Sequence, residues 1–265
     1  MSFSLTRVGA MALRYAYLLQ GSWLRVLELA YWPTVQMILW GFISRFFMQD
    51  STLLGQAAGL LISGVLLWDV LFRSQLGVSV VFFEELYSRN LAQLFVSPLR
   101  PYELILSLMT ISLVRTLIGV GVAALLALPF YGYRLTDLGW PLLLFFANLL
   151  VLGWAIGLQV AALVLRHGLG AESIAWAAIF ALAPVSGIYY PIATLPAWLQ
   201  PLAWLIPASH VFEGMRAVLL EHTVRWDHML YAVGLNALYL GLGVWTFLAA
   251  FRLARERGSL LQSGE

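Results

Sequence analysis

Along the chain, long uncharged stretches alternate with short polar breaks. Residues 29–44 lie between Glu28 and Arg45 and extend to Met48, because an arginine near a helix end can snorkel to the interface. Residues 51–68 are uncharged up to Asp69, and the apolar pattern continues past Arg73 to Phe83. Residues 104–130 are apolar except for Arg115, residues 138–165 carry no charge, and 229–251 form a clean final run. A helix crosses the hydrocarbon core with about 20 apolar residues, so each run predicts a span. The uncharged run 173–212 is too long for one span and short for two. It holds Pro184, Pro191, Pro196, Pro201 and Pro207. Proline breaks helices and pushes the preceding residue away from helical geometry. The pattern here predicts a fifth span followed by broken amphipathic half-helices.

The expected fold is therefore an all-α integral membrane protein, a single domain with six transmembrane helices. The spans are 28–48, 57–83, 104–130, 140–165, 172–190 and 228–251, with re-entrant outer half-helices over 191–221. Arg7, Arg14 and Arg25 fall on one face of a helix drawn through residues 1–26, with Leu5, Ala12, Ala16 and Leu27 roughly opposite. That pattern suits a helix lying in the cytoplasmic interface. Arg7 and Arg14 also interrupt any signal-peptide core, so the first span is expected to stay as an anchor.

Composition agrees. Hydrophobic residues make up 62% and charged residues 11%, with mean hydropathy +0.86, against roughly 45–50% and about 25% in soluble domains. All 15 basic residues are Arg, which excludes a lysine-dependent phosphate loop. With no Cys, disulfides and thiolate metal sites are excluded. The net charge of +2 is spread as scattered arginines, so nucleic acid is not an expected partner. With both termini cytoplasmic, nine arginines fall on inner segments and Arg45, Arg134, Arg216 and Arg225 on outer ones. That bias follows the positive-inside rule for a multi-pass protein of the inner membrane.

Three charges sit deep in predicted spans: Asp69, Arg73 and Arg115. Such charges are costly and call for partners. Asp69 and Arg73 are four apart and can pair on one helix face; Arg115 reaches Asp69 if spans two and three pack side by side. The set reads either as a structural ion network or as a polar lining that meets a charged headgroup. Glu213 and Arg216, three apart, are expected to pair locally within the re-entrant unit.

Between spans two and three runs FFEELYSRNLAQLFVSPLRPYEL, residues 82–104, the most polar internal stretch. A short amphipathic helix here can seat Leu86, Leu91, Leu94 and Phe95 in a groove of a soluble partner. This segment, with Ser97-Pro98-Leu99 and then Glu103, resembles the coupling-helix region of the ABC-2 permease family, the membrane subunits of type-2 ABC exporters. The segment YYPIATLPAWLQPLAWLIPASHVFEGMRAVLL, residues 189–220, resembles that family's C-terminal signature, and the layout of the chain matches it too.

The resemblance implies a permease that binds no cofactor itself and works with two copies of a cytoplasmic ABC ATPase, which carry ATP and Mg. It also implies a second permease copy, identical or related, alongside membrane lipid. Contact with the ATPase would fall to Glu84, Glu85, Arg89, Leu94, Phe95, Ser97, Pro98 and Arg100, within a coupling segment 84–101. Gly187, Tyr189, Tyr190 and Pro191 would close the outer exit, unless the tyrosines belong to the interfacial aromatic belt. The substrate class expected is amphipathic: a lipid, lipid-linked glycan or hydrophobic drug, exported. An ion-coupled secondary transporter using Asp69 is the alternative. An intramembrane enzyme is disfavoured, since His167, His210, His222 and His228 form no zinc-protease motif.

Overall fold

The computed structural model describes residues 3–48, 53–88, 90–132 and 134–256. Every regular element among them is helical: α1 (Leu5–Gln20), α2 (Trp23–Met48), α3 (Leu53–Tyr87), α4 (Leu91–Val96), α5 (Pro101–Tyr131), α6 (Pro141–His167), α7 (Glu172–Leu182), α8 (Gln200–Trp204), α9 (Pro207–Arg216) and α10 (Trp226–Glu256). Five helices are long and apolar enough to cross a membrane: α2, α3, α5, α6 and α10. α7, the expected fifth span, is helical for only 11 residues. It stops just before Pro184, and the chain turns through 183–190.

α3 is the central helix and packs against α2, α5 and α6, while α10 covers the far side of α6. The α3–α6 approach depends on small residues. A Cβ added to Gly157 would lie 2.8 Å from both the Gln75 carbonyl oxygen and Val78 Cβ. Toward the α4 end, Tyr15, Phe82, Leu108, Leu158 and Phe247 share one core; toward the opposite end, Leu71, Phe145, Ile188, Phe212 and Met229 share another.

The N-terminal helix differs from expectation. α1 ends at Gln20 and α2 begins at Trp23, so Arg25 belongs to a different helix from Arg7 and Arg14. The buried stripe of α1 is Val8, Met11, Tyr15 and Leu19, at the spacing of one helix face. Arg7 and Arg14 flank that stripe and turn toward protein carboxylates, as described next.

Candidate functional site

The α4 end of the molecule is built on two ion pairs. Arg14 grips Glu85 with both terminal nitrogens, at 2.7 and 3.0 Å. Glu85 is 2% exposed, and Tyr15 is buried beside it; burial first, then the Glu85 charge, pushes the Tyr15 pKa up. Arg7 binds Glu103 at 2.6 Å. Glu103 is fully buried and also accepts the backbone N–H groups of Ser4 and Arg100 at 3.0 and 2.9 Å. Its hydrogen bond with Arg7 raises the Arg7 pKa. Each pair ties α1 to another helix, α3 or α5.

These contacts revise the coupling segment. Glu84 and Glu85 lie in the last turns of α3, and Glu85 is turned inward and occupied. The short helix itself is α4, six residues long. Its leucines do not await a partner's groove: Leu91 is 2% exposed, and Leu86 and Leu94 pack on the core that holds Leu104 and Phe251. Gln93 within the helix and Pro98 just after it are exposed. Ser97 closes the helix by donating to the Leu94 carbonyl at 2.6 Å, and Arg100 donates to the Tyr102 hydroxyl at 2.6 Å. Arg89 and the Phe95 side chain lie outside the described residues.

Asp69, Arg73 and Arg115 are all buried. Asp69 and Arg73 are neighbours on α3, with no ion pair within 4 Å between them among the described residues. Arg115 turns toward Glu84, at 3.7 Å, rather than toward Asp69. The reason is position: α3 and α5 run antiparallel, and the long Arg115 side chain extends toward the charged α4 end, where Glu28, Arg25 and Tyr15 also act on it. Pro33 in α2 cannot donate to the Leu29 carbonyl. That carbonyl and Arg73 Nε lie 2.7 and 2.8 Å from where a Cβ on Gly119 would sit. The Leu29 carbonyl and the Arg73 guanidinium therefore both crowd against Gly119. One carboxylate oxygen of Asp69 and the Nε atoms of Arg73 and Arg115 have no hydrogen-bond partner. Asp69, Arg73 and Arg115 thus place three buried charged side chains on α3 and α5.

The opposite end is a clamp. Arg216, 8% exposed, donates to the carbonyls of Gly187, Tyr190 and Phe212. Glu213 accepts the Ile192 N–H at 2.7 Å. The two charges do not pair with each other: each grips the backbone of loop 187–192. Burial pushes the Arg216 pKa down, against the opposing effect of Glu213. Gly187 adopts φ +67, where a Cβ would also meet Ile192 Cδ1 at 2.7 Å. Tyr189 stacks on Trp40 of α2, with centroids 4.4 Å apart. Burial raises its pKa, and the Asp69 charge adds to the rise. Tyr190 donates to the Pro184 carbonyl at 2.5 Å, and Pro191 accepts from the Thr194 hydroxyl. The four residues expected at an outer gate therefore form one knot between α2, α7 and α9.

Sequence reasoning missed one cluster. His210 Nδ1 lies 3.1 Å from His228 Nδ1, and its Nε2 lies 2.9 Å from the Trp204 carbonyl oxygen. The carbonyl only accepts, which assigns the His210 proton to Nε2 and makes His228 the donor between the rings. Trp204 and Tyr231 stack around the pair.

A family model described as ABC-2 type transporter matches residues 15–220, from within α1 through the outer clamp. No curated protein matches the chain.

Proposed function

We propose, for a chain that belongs to the ABC-2 type transporter family, a role as the membrane-embedded half of an ATP-driven exporter. As an ABC transporter permease subunit it is a transport component of a multi-pass membrane complex, and the family implies an ABC ATPase partner. Two ATPase copies bind ATP and Mg, and two permease copies form the conduit in the inner membrane, termini toward the cytoplasm. The cargo is amphipathic: a lipid, a lipid-linked glycan or a hydrophobic drug. The mostly apolar interior, interrupted by the buried charged residues Asp69, Arg73 and Arg115, supports this.

The observation that carries the reading is the two-sidedness of α4. Its leucines are fixed to the permease's own core, while Gln93, and Pro98 just after the helix, are exposed. A helix held this way passes an external push into α3, α5 and α10 rather than absorbing it.

The test is vanadate-sensitive ATPase activity in nanodiscs, with the ATPase encoded nearest to this chain. Activity is expected only in the complex. Gln93→Arg with Pro98→Ala is expected to abolish stimulation while leaving the permease monodisperse. Full stimulation in that variant would overturn the assignment of α4.

A further inference from the structure

A groove between the C-terminal halves of α6 and α10 takes no part in any of the above. It encloses about 510 Å³, within the roughly 300–1,000 Å³ of small-molecule sites. Ala162, Ala249, Ala250, Trp245, Gln159 and Thr246 line it, with Arg166 at the end where α6 stops. Gln159 and Arg166 are seven residues apart on α6, as are Thr246 and Leu253 on α10, so the groove runs about 10 Å along both helices. The outward face of α10 is apolar, with Leu238, Leu242 and Trp245 exposed, so the groove opens toward hydrocarbon.

Arg166 decides what fits. It is exposed in the last turn of α6. No carboxylate pairs with it among the described residues, and no acidic residue lines the groove. Thr246 already donates to the Gly243 carbonyl at 3.0 Å, which leaves its oxygen to accept. A guanidinium at the polar end of an apolar trough complements a phosphate that carries an acyl chain. We propose that this groove binds one acidic phospholipid, its phosphate on Arg166 and an acyl chain along Ala249 and Ala250 beside Trp245. The assignment to the cytoplasmic leaflet rests on the topology proposed above.

The experiment uses the full permease with its ATPase in nanodiscs of phosphatidylcholine and phosphatidylglycerol. In one set only phosphatidylglycerol is brominated on its acyl chain; in the other, only phosphatidylcholine. Quenching of Trp245 emission, isolated by subtracting the Trp245→Phe variant, reads occupancy. An about five-fold preference for phosphatidylglycerol is expected, the scale of one arginine near an anionic headgroup. Arg166→Gln should bring the ratio to about one, Arg166→Lys should keep it, and Ala249→Leu should reduce quenching by both lipids. Equal quenching by both lipids in the natural chain overturns the proposal. So does no quenching by either, the mark of a second protein surface in the groove. The chain has no Cys, so Glu256→Cys tests topology separately. Labelling by an impermeant maleimide in intact cells would refute the cytoplasmic leaflet and leave the lipid preference standing.

Discussion

Arg14→Ala and Glu85→Gln break the same ion pair, yet their costs should differ. The Glu85 side chain is 3% exposed and that of Arg14 is 37% exposed. Without Arg14, a carboxylate stays buried with its charge uncompensated. Breaking a buried pair this way costs about 3–5 kcal/mol, and the wet side of Arg14 puts this case at about 3. Without the Glu85 charge, the arginine turns to water and the neutral amide still fills the site, at about 1 kcal/mol. For a chain of this size each kcal/mol moves the melting temperature by about 2–4 °C. Arg14→Ala should therefore lower it by about 6–12 °C and Glu85→Gln by about 2–4 °C. The double variant discharges the stranded carboxylate and should melt near Glu85→Gln, well above Arg14→Ala. The assay is intrinsic tryptophan fluorescence of the full chain in detergent, with monodispersity checked before heating. Equal single-variant losses, or a double variant at their sum, would refute the reasoning.

Two further outcomes follow from the outer clamp. Arg216→Lys keeps the charge but replaces two separated nitrogens of a rigid plane with one nitrogen, which cannot sit at both the Phe212 carbonyl and the Gly187 and Tyr190 carbonyls as Arg216 does. A loss of about 2 kcal/mol in the loop should speed amide exchange over 187–192 by about 30-fold; unchanged exchange would argue against the clamp. Burial holds the His210 pKa below its ordinary 6.5, only partly offset by the Trp204 carbonyl. The folded state therefore disfavours its proton. That contribution to stability is complete above pH 6.5 and lost as pH falls through the lowered pKa. From pH 7 toward pH 5 the natural chain should lose melting temperature relative to His210→Gln; a gain relative to that variant would contradict the assignment.

The long helices were legible because charge spacing is a hard constraint in hydrocarbon. The runs 138–165 and 229–251 became α6 and α10 with shifts of a few residues at most. The stop of α7 at Leu182 was not read: the expected span ran through Pro184 to residue 190, although a proline is a breaker at that place. Partner choice was not legible either. A helical wheel gives Arg7 and Arg14 a face, but whether it meets headgroups or carboxylates depends on Glu103 and Glu85, far along the chain. One local signal was available: Pro101 followed by Glu103 marks a helix start whose third residue reaches back to cap it. Arg216 gave none, because the backbone carbonyls it binds have no sequence signature. For the same reason the local pairing expected between Glu213 and Arg216 gave way to two separate grips on one loop. The meeting of His210 and His228 depends on how α9 folds back against α10, which residue spacing alone does not encode.

The length of α3 has a mechanical consequence. Its 35 residues extend about 52 Å, whereas the hydrocarbon core is about 30 Å thick. Even a tilt of about 20° leaves a large surplus to be placed somewhere. The charges decide where: Glu84, Glu85, Glu103 and their arginines gather at the α4 end, while the other end of α3 carries no charge before Asp69. On the topology proposed above, the surplus would rise as a stalk at the α4 end, with α1 as its brace. α4 would then ride above the headgroup layer, and the proposed ATPase would meet it clear of the bilayer.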